Sequence, residues 1–298
     1  MGYGPMGYGP KIACEIAADR VVAARVAQAQ PVVEVFSVRS LPPRALGPSL
    51  AAGNVMDRDA VRAAVSNALA TVGGGTRDVI AILPDAAVRV NLLEFDKLPD
   101  RHEEAAALVR FRLRKALPFD MEHAALSFDV RSGNGSKHVV AAVAPAAVVA
   151  EYESIFADEG YNAGIVLPSA LAMLGNIEGE RPAMIVKVDA TTITVAIVDQ
   201  GELRLIRVLE NASGAAVTGE QLASEVYPSA VFFEDTYHAR VESVYVAGIV
   251  PLQQIAPALE AHTEARVHEL VSGRHVEPGS ADAAARGALA AVVGALVG

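Results

Sequence analysis

The sequence predicts an α/β protein of two similar lobes, and three observations support this prediction. A meander of three short apolar runs occurs twice, starting near Lys11 and near Ala183. Each copy is followed by stretches with helical periodicity that alternate with further strands, which is the pattern of an α/β fold. In addition, 52% of the 298 residues are hydrophobic. A chain of this size and composition can bury one large core or two ordinary ones.

The composition also excludes several classes of function. A formal net charge of −10 argues against a basic surface that neutralises many phosphates, so nucleic acid is not an expected partner. Cys14 is the only cysteine and lies in the apolar run KIACEIA, which predicts a small core residue in a protein of the reducing cytosol. The seven histidines show no metal-ligand spacing, and the sequence contains no G-x-S-x-G motif and no P-loop.

Residues 1–10 consist of the unit MGYGP written twice, and we predict a flexible tail there. The first lobe is predicted over residues 11–176. It opens with the strands KIACEIA, RVVAARVAQ and PVVEVFSV, continues with a helix that Asp57 can cap and that ends near Gly73, and adds the strand RDVIAILPD.

An inserted α+β subdomain is predicted within this lobe, over about residues 84–143. It comprises an extended stretch, AAVRVNLLEFDKLP, the helix DRHEEAAALVRFRLRKALP and the hairpin HAALSFDVRSGNGSKHVVAAVAP. After it, a helix that ends at Gly160 and the strand AGIVLP return to the lobe.

The second lobe is predicted over residues 177–298. It repeats the meander and then shows a helical region from about Ala215 to Arg240, which Pro228 should interrupt or kink. A strand, VESVYVAG, and a helix, PLQQIAPALEAH, follow. The final run, 283–297, is shorter than the roughly 20 residues that a bilayer needs, so it predicts a core helix that packs back toward the first lobe.

The stretch FDKLPDRHEEAAALVRFRLRKALPFDMEHAALSFDV gives the most specific signal. It has a strand ending in Leu-Pro, a helix with paired acids and a basic end, a second proline and an aspartate-bearing strand. In this succession and in its duplicated meander, the chain resembles the PilM family of type IV pilus assembly from about Lys11 to Leu296. The resemblance implies a two-lobed actin-like (ribonuclease H-like) fold with the inserted subdomain found in PilM and FtsA.

The same resemblance implies that the first turn of each meander faces a cleft between the lobes and wraps the phosphates of ATP. The family's first turn reads D-x-G-[ST], whereas the matching residues here are Glu15, Ile16, Ala17 and Ala18. A glycine lets backbone amides come close to phosphate, and a Ser or Thr supplies a hydroxyl donor. Both are missing from the first turn.

The second turn, D-x-G in the family, holds Lys187, Val188 and Asp189. The family's first aspartate helps to hold hydrated magnesium, so Lys187 brings the opposite charge, and Asp189 adds a negative charge where phosphate would lie. Thr191 and Thr192 keep hydroxyl donors. The Gly-Gly of the adenosine side becomes Ala247-Gly248, which leaves Gly248 alone where a purine would pack.

Three interpretations of Lys187 stay open: a side chain that reaches solvent, a side chain that fills an abandoned cleft, and a phosphate-binding lysine. Glu15 lies inside an apolar strand, where a carboxylate needs a partner. We therefore predict that Glu15 and Lys187 pair across the cleft.

The resemblance implies a non-catalytic cytoplasmic adaptor. It would bind the N-terminal peptide of a PilN-like inner-membrane protein, lie at the inner membrane through that partner, and pass contacts to the pilus motor. The peptide would occupy a groove between the first lobe and the inserted subdomain, beside Arg110, Phe111, Arg112 and Arg114. An alternative explanation of these arginines is the charge that commonly ends a helix. No cofactor or metal is expected, and at most weak binding of ATP.

Other functions remain as alternatives. An ATPase or kinase needs phosphate-cradling amides and magnesium ligands, but three glycine positions of the family hold Ala17, Asp189 and Ala247 here. The cytoplasmic actin-like domain of a type II secretion protein is similar, and we would expect a membrane span after it that this sequence does not show. An FtsA-like protein would carry a basic amphipathic tail, which is not evident.

Overall fold

The computed structural model describes residues 9–27, 31–132, 135–277 and 279–298. Residues 1–8 of the predicted tail lie outside the described residues. These residues form two five-stranded sheets and one three-stranded sheet, and each sheet packs against at least one helix.

The first lobe is built on a sheet of order β3-β2-β1-β4-β8. Its strands are β1 (Ile12–Ile16), β2 (Arg20–Val26), β3 (Val33–Ser40), β4 (Asp78–Leu83) and β8 (Asn162–Pro168). Its helices are α1 (Arg58–Val72), α3 (Ala146–Asp158) and the short α4 (Ser169–Ala172). Asp57 caps α1 by accepting a hydrogen bond from the Ala60 amide, as the sequence predicts.

The second lobe is built on a sheet of order β11-β10-β9-β12-β13. Its strands are β9 (Ala183–Val188), β10 (Thr192–Asp199), β11 (Glu202–Glu210), β12 (Ser243–Gly248) and β13 (Arg266–Glu269). Its helices are α5 (Gly219–Tyr237), α6 (Leu252–Thr263), α7 (Ala283–Ala288) and α8 (Ala290–Val297).

The inserted subdomain lies between β4 and α3. It is an antiparallel sheet of order β5-β7-β6 with one helix. Its elements are β5 (Arg89–Phe95), α2 (His102–Leu113), β6 (Ala124–Ser132) and β7 (Lys137–Pro145). Val109, Leu113 and Met121 pack with the inner face of the sheet to form a small core of their own.

The two large sheets repeat one topology and one register. In each lobe the first strand pairs antiparallel with the second and parallel with the fourth. Glu15 lies opposite Val22 in the first sheet, and Lys187 lies opposite Thr194 in the second. Glu15 and Lys187 are 172 positions apart, as are Val22 and Thr194, so the two residues are equivalent positions of a duplicated lobe.

Three large hydrophobic cores hold these layers together. The first lies between the sheet of the first lobe and α1 and α3, and another lies between the second sheet and α5 and α6. The third is shared: residues of both sheets, such as Val22 and Ile185, pack around α8. In this way the closing helix lies between the lobes. It approaches α4 so closely that a Cβ at Gly294 would stand 2.2 Å from the Ala172 carbonyl oxygen.

Two sequence-based expectations about helices are corrected. Of the interruption or kink expected at Pro228, the interruption is wrong, since α5 runs unbroken from Gly219 to Tyr237. Because Val226 and Phe233, on either side of the proline, are both buried in the same core, packing offsets the backbone hydrogen bond that a proline removes. The final apolar run forms two helices, α7 and α8, in place of one. Across the described ranges, we find no helix with the length and hydropathy to cross a bilayer.

Candidate functional site between the two lobes

The two predicted turns have the same backbone geometry. The Ala17 amide donates to the Arg20 carbonyl at 2.8 Å, and the Asp189 amide donates to the Thr192 carbonyl at the same distance. Each turn joins the first and second strands of its sheet. The duplicated sequence therefore gives two equivalent turns, and the difference between them lies in their side chains.

Glu15 and Lys187 form the pair that the sequence predicts. The Nζ of Lys187 donates to the Oε1 of Glu15 at 2.7 Å. Glu15 is fully buried and Lys187 is 1% exposed. The interpretation that Lys187 reaches solvent is therefore wrong, and its side chain fills space between the lobes. Two further acceptors surround the same ammonium: Asp189 Oδ2 at 2.7 Å and Ser169 Oγ at 2.5 Å. The hydroxyl of Ser169 in turn donates to Glu15 Oε1 at 2.7 Å.

Arg20 adds a second buried cation that the sequence analysis missed. Its Nη2 donates to Asp189 Oδ1 at 2.6 Å, and its Nη1 donates to Asp19 Oδ1 at 2.8 Å. Asp189 thus receives Lys187 on one carboxylate oxygen and Arg20 on the other. A signal was available, because Arg20 directly follows the first turn at the position equivalent to Thr192 in the second.

Asp85 and Thr194 complete the group, and neither was predicted. Thr194 Oγ1 donates to Asp85 Oδ2, and the Ala170 amide donates to Asp85 Oδ1, each at 2.6 Å. Asp85 follows β4 and Thr194 lies on β10, so this contact also joins the two lobes. We refer to the seven residues of this group as the interlobe cluster: Glu15, Arg20, Asp85, Ser169, Lys187, Asp189 and Thr194.

The charges of the interlobe cluster stabilise one another. Burial disfavours the ammonium of Lys187, but Asp189, Glu15 and Asp85 outweigh it and raise the pKa of Lys187. Burial also acts against ionised Asp189, yet Lys187 and Arg20 lower its pKa to about 2. Asp85 differs, because burial raises its pKa to about 6 in spite of Lys187 and the hydrogen bonds from Thr194 and Ala170. The cluster contains two basic side chains, Arg20 and Lys187, and three acidic ones, Glu15, Asp85 and Asp189.

The remaining residues of the predicted nucleotide site lie around this cluster. Ala17 is buried, Thr192 is 8% exposed and Thr191 is exposed at the tip of its turn. The second turn is fixed by Asn211, whose Nδ2 donates to the Asp189 carbonyl at 2.7 Å. Asn211 therefore has a structural role that sequence analysis did not identify.

Gly248 is required by its backbone environment. It has a φ of +105°, and a Cβ there would stand 1.9 Å from the Val188 carbonyl oxygen. Helix α7 covers the same residue: a Cβ at Gly287 would lie 2.6 Å from the Gly248 carbonyl oxygen. The backbone of this chain thus contacts the position at which the resemblance places a purine.

These contacts limit what the site can do chemically. Lys187, Arg20 or Thr194 contacts at least one oxygen of each carboxylate of the interlobe cluster, and Glu15 Oε2 is buried without a hydrogen-bond partner among the described residues. Cys14, predicted as a core residue, is fully buried next to the cluster in β1, and burial raises the pKa of its thiol. Within the described ranges, no group of three or more His, Cys, Asp or Glu side chains has the arrangement of a metal site.

The four residues of the predicted partner surface do not share one face of α2. Arg110 is half-buried, and its Nη1 donates to the carbonyls of Met121 at 2.7 Å and Ala124 at 3.2 Å, which ties the helix to the subdomain sheet. Phe111 is 73% exposed, and Arg112 and Arg114 are exposed beside it. An exposed phenylalanine between two cations is therefore the available part of this surface.

Comparison with known proteins gives a clear result for the fold. Neither protein-family models nor curated protein sequences gave a match. Among solved structures, a chain of a PilM–PilN type IV pilus biogenesis complex is similar with a TM-score of 0.80 and 17% identity, over 97% of this chain and 98% of that chain.

Two more distant structures agree. The cytoplasmic domain of EpsL, an inner-membrane component of the type II secretion system of Vibrio cholerae, has a TM-score of 0.52 and 10% identity, over 89% of this chain and 98% of that one. A Bacteroides thetaiotaomicron protein with an actin-like ATPase fold has a TM-score of 0.50 and 7% identity, over 86% and 89% of the two chains.

The protein therefore has the two-lobed actin-like ATPase fold, as its sequence predicts. More particularly, it has the PilM-like form of that fold, and it carries an inserted three-stranded subdomain in the first lobe.

Proposed function

We propose that the protein is a non-catalytic, PilM-like adaptor of type IV pilus assembly. It acts in the cytoplasm at the inner membrane, where it binds the N-terminal peptide of a PilN-like membrane protein and connects it to the pilus motor. It does so without nucleotide chemistry, without inserting into the membrane and without nucleic acid. The observation that carries the non-catalytic part is the interlobe cluster, which fills the cleft with the protein's own paired charges.

The pilus part rests on the shape of the molecule. The likeness to a chain of the PilM–PilN complex covers nearly the whole of both chains and includes the inserted subdomain. The likeness to EpsL supports a second candidate, a cytoplasmic actin-like domain of a type II secretion system. The first candidate binds a separate inner-membrane protein, whereas the second corresponds to the cytoplasmic domain of an inner-membrane component itself. Binding of a PilN-like peptide therefore distinguishes them.

The partner surface we propose is centred on Phe111. A phenylalanine that is 73% exposed leaves most of its apolar area in water, and a partner that covers it gains about 25 cal/mol for each Å² buried. Arg112 and Arg114 lie beside it and can pair with acidic groups of the peptide. Arg110 supports this surface from beneath through its carbonyl contacts.

The partner can be tested with a synthetic peptide that carries the N-terminal residues of the PilN-like membrane protein of the same organism. Fluorescence anisotropy of the labelled peptide gives the affinity for wild-type protein, for Phe111→Ser and for the matched control Phe232→Ser, a second exposed phenylalanine in the other lobe. We expect binding of the PilN-like peptide, a loss of at least tenfold in Phe111→Ser and no change in Phe232→Ser. Equal affinities in all three proteins would place the groove elsewhere, and failure of the PilN-like peptide to bind would overturn the proposal.

The cleft can be tested by thermal unfolding with and without magnesium and millimolar ATP. A ligand at about 100 times its Kd adds roughly 2.7 kcal/mol, and for a chain of this length about 1 kcal/mol moves the midpoint by roughly 2 °C. We expect no shift. A magnesium-dependent rise of several degrees would favour the alternative, a nucleotide-binding ATPase or kinase.

A further inference from the structure

The contacts within the interlobe cluster run between the lobes. Glu15 and Arg20 belong to the first lobe and pair with Lys187 and Asp189 of the second. Asp85 of the first lobe accepts from Thr194 of the second, and Ser169, at the end of the first lobe, accepts from Lys187. Four strands (β1, β2, β9 and β10), the turn between β9 and β10, the segment after β4 and the start of α4 therefore meet at one point.

The apolar surroundings of these contacts make partial separation costly. The shared core contains residues of both sheets together with α8, so opening the lobes would expose apolar surface. A small opening would stretch the ion pairs before water could reach them, and buried charges without partners are strongly destabilising. The apolar core thus supplies attraction between the lobes, and the ion pairs select a single relative position.

We propose that the interlobe cluster is a permanent internal latch that holds the two lobes in one closed arrangement with nothing bound in the cleft. Lys187 and Arg20 supply the positive charge at the two turns, and Glu15, Asp85 and Asp189 supply the negative charge that balances it. Each lobe therefore provides charged groups that bind the other lobe. Because the latch holds the lobes together, their closure does not require a ligand. A partner protein therefore binds a surface whose shape is already set before binding. This inference concerns the cleft alone and does not depend on which protein the adaptor binds.

The latch can be tested by measuring the distance between spin labels on the two lobes of the full chain. Ala63 on α1 and Gln253 on α6 are exposed positions for introduced cysteines, and Cys14 does not compete for the label because it is fully buried. Pulsed electron paramagnetic resonance on the labelled protein with an unchanged interlobe cluster should give one narrow distance distribution. Addition of magnesium-ATP should leave that distribution unchanged. A distribution with two populations, or one that moves with magnesium-ATP, would overturn the latch.

A second experiment removes the two cations of the interlobe cluster, Arg20 and Lys187. Arg20→Met combined with Lys187→Met should broaden the distribution and add longer distances, because the carboxylates left behind repel one another and admit water. The matched control is Arg286→Met, which breaks the ion pair with Glu269 inside the second lobe and should leave the distribution narrow. Should the double variant not fold, Arg20→Met alone gives the same comparison. A distribution as narrow as wild type in the folded cation variant would show that packing alone fixes the lobes.

Discussion

The two turns of the duplicated lobe have equivalent backbone hydrogen bonds but differ in the order of their charged residues. In the first lobe a carboxylate, Glu15, precedes the turn and a cation, Arg20, follows it. In the second, the cation Lys187 comes first and the carboxylate Asp189 lies within the turn. Because the lobes face each other, Glu15 meets Lys187 at 2.7 Å and Arg20 meets Asp189 at 2.6 Å.

This difference shows that two turns with equivalent backbone hydrogen bonds can carry different arrangements of charge. A phosphate-binding pair of turns would need glycines and hydroxyl groups on both sides, since a ligand carries the charge that joins them. Here side chains carry the charge that joins the turns, which is the basis of the latch that we propose. The cost of burying these groups is offset only while both partners are present.

Removal of Lys187 should have the largest effect on stability. In Lys187→Met, Glu15 keeps only the hydroxyl of Ser169, and Asp189 keeps only Arg20. We expect a loss of about 3–5 kcal/mol in the free energy of unfolding, the usual range when one partner of a buried pair is removed. Chemical denaturation at neutral pH measures this loss from the midpoint.

A double variant separates charge from packing at this position. In Glu15→Gln with Lys187→Met, both partners are neutral and Asp189 still pairs with Arg20. We expect the double variant to recover most of the stability that Lys187→Met loses, because no unpaired charge is left. If the losses of the single variants simply add, Glu15 and Lys187 do not act as a pair.

The pH dependence of Asp85 provides the next largest effect. Its pKa rises from 3.8 in the unfolded chain to about 6 in the folded protein, so folding favours the protonated form. The contribution of Asp85 to stability is therefore highest below pH 3.8 and falls as the pH rises to about 6. A rise of this size is worth about 3 kcal/mol in total, at about 1.4 kcal/mol for each pKa unit.

Asp85→Asn removes this titration and keeps the shape of the side chain. The charged groups that face Asp85 are Lys187, which stays protonated over this range, and Asp189, whose pKa of about 2 lies below it. We expect the stability of wild type relative to Asp85→Asn to fall between pH 4 and pH 6 and to be constant above. Urea denaturation of both proteins at each pH checks this, and a constant difference throughout would mean that Asp85 has an ordinary pKa.

Gly248→Ala should have an intermediate effect. A methyl group there meets the Val188 carbonyl at 1.9 Å, and a φ of +105° is strained for alanine, so backbone atoms must move. We expect a loss of about 1–3 kcal/mol, the usual range for such strain. Gly273→Ala is the control, because a Cβ there has no atom within 4 Å. A thermal midpoint of Gly248→Ala equal to that of the control would contradict this account.

The fold was largely predictable, because it follows from local signals that repeat along the chain. The alternation of apolar runs and turns gave the two meanders, and the unpartnered charges of Glu15 and Lys187 gave their pairing. Asp85 and Thr194 were not predicted, because their partners lie far away in sequence and nothing nearby distinguishes them from other polar residues. Arg20 was missed although its position, equivalent to Thr192, offered a signal. The continuity of α5 through Pro228 depends likewise on a core that local propensity does not describe.

Reversal of an exposed charge should have the smallest effect on the free energy of unfolding. It provides a reference against which the effects of the buried charges can be compared. Arg114 is exposed at the end of α2, where the solvent screens it. We expect Arg114→Glu to change the free energy of unfolding by less than about 0.5 kcal/mol, as is usual for surface substitutions, even though it changes the net charge by more than Lys187→Met does. The same denaturation experiment measures both variants. A loss in Arg114→Glu that approaches the loss in Lys187→Met would mean that net charge, and not the burial of the interlobe cluster, sets the stability of this protein.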